Sequence, residues 1–239
     1  IYDTGPRFRS GFSYAESVIL PLITELRIHR VNSIVISHGD NDHAGGREVL
    51  EQAFSQARRY YGRDKRLPKT YCRGSRLWGK LQLDFYLADL GNGNNGSCVL
   101  KLSDGHTSLL LTGDIEQRAE QQLLNAGLSN VNIMLSPHHG SSSSSSTRFI
   151  HALNPEVVIH SSGAFNRFGF PHQSVLERYA ERKQYITARD GAIKLEIDDR
   201  SYQVYPYRYM DLISVQKANR CSVQRSVQIL FGHLYWQLP

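Results

Sequence analysis

The sequence predicts an α/β domain in which sheets are covered by helices. Helix and strand signals alternate along most of the chain, and short apolar runs of strand length lead directly into polar loops. Of its 239 residues, 40% are apolar, enough to bury a substantial core. These signals continue to Tyr205, so residues 1–206 read as one domain and 207–239 as a C-terminal tail of unassigned role.

Pro21 suits the first turn of a helix running to about Ile28, with Leu22, Ile23 and Leu26 on its buried face. Residues 33–37 (SIVIS) form a short buried strand that delivers His38. A helix from Gly46 to about Ala57 would gather Val49, Leu50, Ala53 and Phe54 on one face. Residues 80–88 alternate as a strand, and 90–96 (LGNGNNG) is a turn-rich connection. Strands near 98–103 and 108–112 flank Asp104-Gly105, a hairpin signal, and 116–126 reads as a helix. The pattern then repeats as strand 132–135, loop 138–146, helix 148–153 and strand 156–160. Helix 173–182 and strands near 192–197 and 202–205 complete the domain.

The formal charge of +6 and a pI of about 9.3 favour a polyanionic partner, nucleic acid or an anionic membrane surface. Arginines and lysines crowd residues 58–80 with Tyr60, Tyr61, Tyr71 and Trp78 between them, a mixture able to meet phosphates and stack on bases. The same mixture also suits a solvated basic face with ordinary core aromatics. Cys72, Cys98 and Cys221 are odd in number and lack C-x-x-C spacing, so neither a disulfide framework nor a thiolate zinc site is expected. The longest apolar stretch, 18–23, is too short to span a bilayer, and no signal peptide is visible. The chain opens at Ile1 in a strand-like segment and reads as a fragment. Residues 141–146 are six serines; their composition suits a flexible linker, but their position after His138-His139 suits a loop beside a site.

The chemistry concentrates in polar clusters that follow predicted strands. His38-x-Asp40-x-Asp42-His43 puts four ligand-type side chains in six residues. In an extended segment His38, Asp40 and Asp42 would face one cavity, and a turn would bring His43 to them. Imidazoles with carboxylates hold hard or borderline divalent cations. Asp114, in Thr112-Gly113-Asp114, is either a further ligand or the cap of the following helix. His172 is either a ligand or the start of a helix. Asp3 is either a turn residue or an acceptor orienting a ligand loop.

Together with Pro137-His138-His139-Gly140-Ser141, these motifs resemble the metallo-β-lactamase superfamily. Within it they resemble the hydrolase domain of ComEC-type competence membrane proteins, which are involved in DNA uptake. Residues 2–8 (YDTGPRF), 94–100 (NNGSCVL) and 166–169 (NRFG) fit that branch, and the match runs from about Tyr2 to Tyr205. The resemblance implies that residues 1–206 form a hydrolase domain with an αββα sandwich, here without its first strand or two. It further implies two divalent metals at one edge, with Asp114 bridging. The superfamily's usual histidine near Asn95 is missing, and His138 or His139 would fill that vacancy. His38, Asp40 and one of these two would hold one metal; Asp42, His43 and His172 would hold the other. Both His138 and His139 stand as candidate ligands, with His138 favoured and His139 taken as a substrate contact. Catalytic roles fall to Asp42, Asp114 and His139.

Asp40 in place of a histidine adds charge and a hard oxygen, which shifts the preference from Zn2+ towards Mn2+ or Mg2+; Mn2+ is favoured, with Zn2+ and Mg2+ as alternatives. Arg167, Ser141 and Asn95 are candidate nucleic-acid contacts. The implied function is a DNase domain of an inner-membrane uptake protein, facing the periplasm or exterior. It would degrade the non-transported strand, with DNA, single-stranded in the reading, and the protein's own membrane channel as partners. The alternatives are a non-catalytic DNA-binding module and a phosphodiesterase acting on a small or cell-envelope substrate.

Overall fold

The computed structural model describes residues 1–198, 201–207 and 227–231, and structural counts refer to these. A π-helical turn, Ala15–Ile19, continues into α1 (Leu20–Glu25), with Pro21 in the first turn. Strand β1 (Ser33–Ile36) is followed by α2 (Asn41–Ala44), α3 (Arg47–Ala53) and β2 (Arg58–Tyr61). Then come β3 (Gly74–Trp78), β4 (Leu81–Leu87), β5 (Cys98–Ser103) and β6 (Ser108–Leu111). Helices α4 (Gln117–Asn125), α5 (Thr147–Leu153) and α6 (Gln173–Arg178) alternate with β7 (Ile133–Leu135), β8 (Val157–His160) and β9 (Lys183–Ile186). Last are α7 (Thr187–Asp190), β10 (Ala192–Asp198), β11 (Ser201–Tyr207) and β12 (Val227–Phe231).

Strands β3 to β9 form one mixed sheet in sequence order, antiparallel as far as β6 and parallel from there on. Parallel neighbours need crossovers, and α4, α5 and α6 supply them. Period two then sorts the side chains. Leu109, Leu111, Ile133, Val157 and Ile159 enter one core, while Leu110, Met134 and Val158 enter the opposite one. The first core is shared with Val35 of β1 and with Ile193, Leu195 and Ile197 of β10, so a second sheet layer lies against the large sheet. The opposite core holds Ala119, Leu123, Phe149, Ile150 and Val175 from the crossover helices. A third core packs Ile34 and Ile36, on the outer face of β1, against Ala15 and Leu50. Three cores separating helix, sheet, sheet and helix make the αββα sandwich. No helix of the described residues is long and apolar enough to cross a membrane.

Several expectations change. Residues 41–44 form a helical turn instead of an extended run, so Asp42 and His43 reach the centre from α2. The basic, tyrosine-rich segment contains β2; Tyr61 is buried and Tyr60 stacks on Phe85 with ring centroids 4.5 Å apart. Its cations are partly committed within the protein, Arg63 to Asp89 and Arg66 to Asp64 and Asp40. The helix expected over 173–182 stops at Arg178, and β9 follows. Cys72 and Cys98 form a disulfide, their Cα atoms 5.9 Å apart. Spacing alone could not reveal it, because strand pairing brings together residues 26 apart in sequence. Val227–Phe231, within the tail, pairs antiparallel with β10; Cys221 and the rest of the tail beyond Tyr207 lie outside the described residues.

Candidate metal centre

Four loops converge beyond the carboxyl ends of β1, β6, β7 and β8, the edge where open α/β sheets present their sites. His38 follows β1 by two residues and is fully buried. Gly113 stands between β6 and Asp114 at φ +55°, and a Cβ there would come within 2.8 Å of the Ser37 Cβ. That close approach sets buried Asp114 beside the first loop. Asp114 does not cap α4, whose N-cap is Glu116.

The Asp114 carboxylate lies between two sets of donors. Its Oδ2 is 3.9 Å from His38 Nε2 and 3.7 Å from His138 Nε2, and His38 Nε2 is 3.3 Å from Asp40 Oδ2. Its Oδ1 is 3.5 Å from His139 Nε2, which is itself 3.5 Å from Asp42 Oδ2. His43 Nε2 lies 3.3 Å from Asp114 Oδ2, 3.6 Å from Asp42 Oδ2 and 3.2 Å from His139 Nε2. The tightest groupings of ligand atoms are His38, His43 and Asp114, and Asp42, His43 and His139.

Hydrogen bonds fix which nitrogen of each ring faces inward. His43 Nδ1 donates to Asp3 Oδ2 at 2.8 Å, and His139 Nδ1 donates to the Ser161 carbonyl at 2.7 Å. Both Nε2 atoms therefore turn towards the carboxylates. Asp3 also accepts from the Ser37 N–H and hydroxyl at 2.6 and 2.8 Å, so it is the orienting acceptor and not merely a turn residue. His38 Nε2 is buried without a hydrogen-bond partner. Imidazole lone pairs facing acceptor-only carboxylates need a cation between them, so this donor set fits a divalent metal.

The electrostatics agree. Burial alone would raise the Asp114 carboxyl, yet His43 and His139 hold it well below the usual carboxylate range. Burial likewise opposes charge on His43, but Asp114 and Asp3 raise it well above the ordinary histidine value. His139 is raised in the same way against its burial, by Asp114 and Asp42. His38 is lowered, by burial first and by His43 next. Carboxylates that pull protons onto imidazoles would bind a divalent cation in exchange for them.

Support comes from Asp64, Arg66 and Glu116, none of which the sequence placed at the centre, and from the serine run. Asp64, buried, accepts from the Gly39 N–H at 3.1 Å and pairs with Arg66, which reaches Asp40 Oδ1 at 2.7 Å. The Arg66 guanidinium holds the Asp64 carboxyl down to about 2, against its burial. Glu116 lies 3.5 Å from His138 Nδ1 and accepts from Asn95 Nδ2 and Ser143 Oγ at 3.1 and 2.8 Å. His138 and His139 have φ of 50° and 55°, a left-handed pair that aims both rings inward. The serine run holds that turn. Ser144 Oγ donates to the Pro137 carbonyl at 2.7 Å, Glu120 accepts the Ser145 and Ser146 N–H groups, and Arg178 donates to the Ser144 and Ser145 carbonyls. It is a built loop beside the site.

The structure thus brings together His38, Asp40, Asp42, His43, Asp114, His138 and His139. It does not bring His172 into the donor groupings; that ring packs on Phe170 with centroids 5.4 Å apart, and His139 stands beside Asp42 and His43 instead. Asn95 and Ser141 are occupied internally, Asn95 by Glu116 and buried Ser141 by Ser143, while Arg167 is exposed.

This fold and this edge define the class. Residues 1–161 match the family model of the metallo-beta-lactamase superfamily, and the chain belongs to that superfamily. Its relatives include competence proteins of the Rec2/ComEC family. Recombination protein 2 of Haemophilus influenzae is 36% identical over 208 residues, covering 82% of this chain and 26% of that protein. ComE operon protein 3 of Bacillus subtilis is 30% identical over 226 residues, covering 82% and 28%. The chain spans roughly a quarter of the length of these relatives. Among solved structures, the metallo-beta-lactamase fold protein YhfI of Bacillus subtilis superposes with TM-score 0.46 at 13% identity, covering 77% of this chain and 82% of that one.

Proposed function

We propose that this chain is a metal-dependent DNase domain of a DNA-uptake protein, hydrolysing phosphodiester bonds of the strand that is not transported. The observation that carries the reading is the Asp114 carboxylate held between two sets of donors. His38, Asp40 and His138 would hold one divalent ion; Asp42, His43 and His139 would hold a second; Asp114 would be shared. Bound ions would activate the attacking water and offset charge on the scissile phosphate. Around them Asp3 and the Ser161 carbonyl fix the inward tautomers of His43 and His139. Arg66 holds Asp40 in place and, with Arg47, lines a pocket beside it where a neighbouring phosphate can be met.

DNA as substrate draws support from the +6 charge and from the competence relatives. The carboxylate at position 40 shifts the preference from Zn2+ towards harder ions, and the histidines beside it support Mn2+ ahead of Mg2+. In this reading the domain belongs to an inner-membrane protein, faces the periplasm or exterior, and works beside that protein's own membrane channel.

The test is release of nucleotides from single-stranded DNA with and without Mn2+, by the wild type and by Asp40→Ala, Asp114→Ala and His138→Ala. Manganese-dependent cleavage that all three variants lose is the expected result. Cleavage unchanged in all three would sink the dinuclear reading. DNA binding without cleavage would favour a non-catalytic module, and hydrolysis confined to small phosphodiesters would favour the remaining alternative. Elemental analysis of the same samples identifies the ions.

A further inference from the structure

Beyond the metal centre, the loop of residues 161–172 carries three phenylalanines that none of the three cores takes in. Phe170 stacks with His139, centroids 6.3 Å apart and planes at 21°. Phe168 stacks in turn with Phe170 at 5.4 Å and 18°, and the Arg167 guanidinium lies 4.7 Å from the Phe168 ring centre. Phe168 is 56% exposed and Phe165 is 92% exposed. Phe165 also stands at φ 56°, a conformation that costs a bulky residue free energy and that nothing in its own packing repays.

The loop is nevertheless rigidly built. Asn166 Nδ2 donates to the Gly163 and Phe170 carbonyls at 2.9 and 2.7 Å, and its Oδ1 accepts from the Phe170 N–H at 2.8 Å. A preorganised row of aromatic planes, His139, Phe170 and Phe168, therefore leads to solvent with Arg167 at its outer end, and exposed Phe165 stands three residues before Phe168 on the same loop.

We propose that this row is a stacking track for the unpaired bases of single-stranded DNA. Bases rest on Phe168 and Phe165, Arg167 meets the adjoining phosphate, and the strand passes Phe170 and His139 into the metal centre. Duplex bases hide their faces in their own stack, so the track selects unpaired strand; every base has a π-face, so it reads no sequence. The proposal takes its single-stranded substrate from the nuclease reading and adds the surface that holds it.

The test separates the two. Fluorescence anisotropy of the whole 1–239 chain is measured with labelled oligodeoxythymidine and with an abasic deoxyribose-phosphate polymer of equal length. A chelator is present, so binding is read whether or not the chain cuts DNA. Phe168→Ala and Phe165→Ala are each expected to weaken oligodeoxythymidine binding by roughly tenfold and to leave the abasic polymer unaffected. Phe168→Trp should keep the affinity and Phe168→Leu should not. Trp78, which the sequence offered as a base contact, lies on the edge strand at the end of the sheet away from Cys98 and the metal centre, outside this row, so Trp78→Ala should change nothing.

Equal losses on both polymers, no loss on either, or a matching loss in Trp78→Ala would overturn the track. So would vesicle binding to anionic phospholipid that the phenylalanine variants abolish while DNA affinity stays intact. Base-dependent binding without manganese-dependent cleavage would support the track and remove the nuclease reading. Cleavage with base-independent binding would do the reverse.

Discussion

Asp3 is one carboxylate with two tasks: it holds Ser37 at the end of β1 and turns His43 Nε2 towards the centre. An amide in its place can still accept from Ser37 but holds the imidazole less firmly. Asp3→Asn is therefore expected to lower Mn2+ affinity and cleavage by about 10–100-fold with the fold intact, read by metal titration alongside circular dichroism. Affinity equal to wild type would show that His43 needs no such partner. The candidate ligands His38 to His43, Asp114, His138 and His139 were legible because they sit in compact runs after apolar strands. Asp64, Arg66 and Glu116 were not, because each acts across the fold on a loop far from its own place in sequence. His172 follows Pro171 in sequence as a ligand could, but its backbone N–H binds the Gly140 carbonyl and its ring stays outside the donor groupings.

Among the elements, α4 and α6 do more than cover the sheet. Glu120 of α4 is buried and accepts from the serine loop, and Arg178 of α6 donates to carbonyls of the same loop. Glu120→Ala leaves two backbone N–H groups of that loop without their acceptor, which should cost about 3 kcal/mol in urea unfolding. It should also lower cleavage, since the left-handed His138-His139 turn rests on the loop. A loss below about 0.5 kcal/mol would mean that water replaces the carboxylate. The six serines hid this role, because composition says nothing of what clamps a segment. Strands β5 to β8 were readable from buried apolar runs, with every residue of β6 and β8 buried. Strands β2 and β3 were missed: β2 begins Arg58-Arg59, and every residue of β3 is exposed, so neither shows the pattern of a half-buried strand. Strand β9, only four residues long, directly continues a helical pattern.

For the molecule as a whole, acid sensitivity follows from a histidine that belongs to the core and not to the metal centre. His160, at the end of β8, is fully buried with Nε2 3.0 Å from Gln184 Oε1 and Nδ1 without a partner. Burial pushes its pKa down to about 4; the Gln184 contact opposes that shift and Arg189 adds to it. Between pH 4 and about 6.5 the unfolded chain therefore binds a proton that the folded chain refuses, so stability from this group falls as pH drops through that window. The full effect is about 3 kcal/mol. His43 and His139 are raised, as is Glu120, which burial pushes up, and all three act in the opposite sense, so the absolute slope mixes several groups. The comparison that isolates His160 is His160→Gln. From pH 7 to pH 4, wild type should lose about 3 kcal/mol more unfolding free energy than the variant, measured by urea titration in chelator. Parallel pH curves for the two proteins would mean that His160 accepts its proton in the folded state at an ordinary pH, and that water reaches this end of β8.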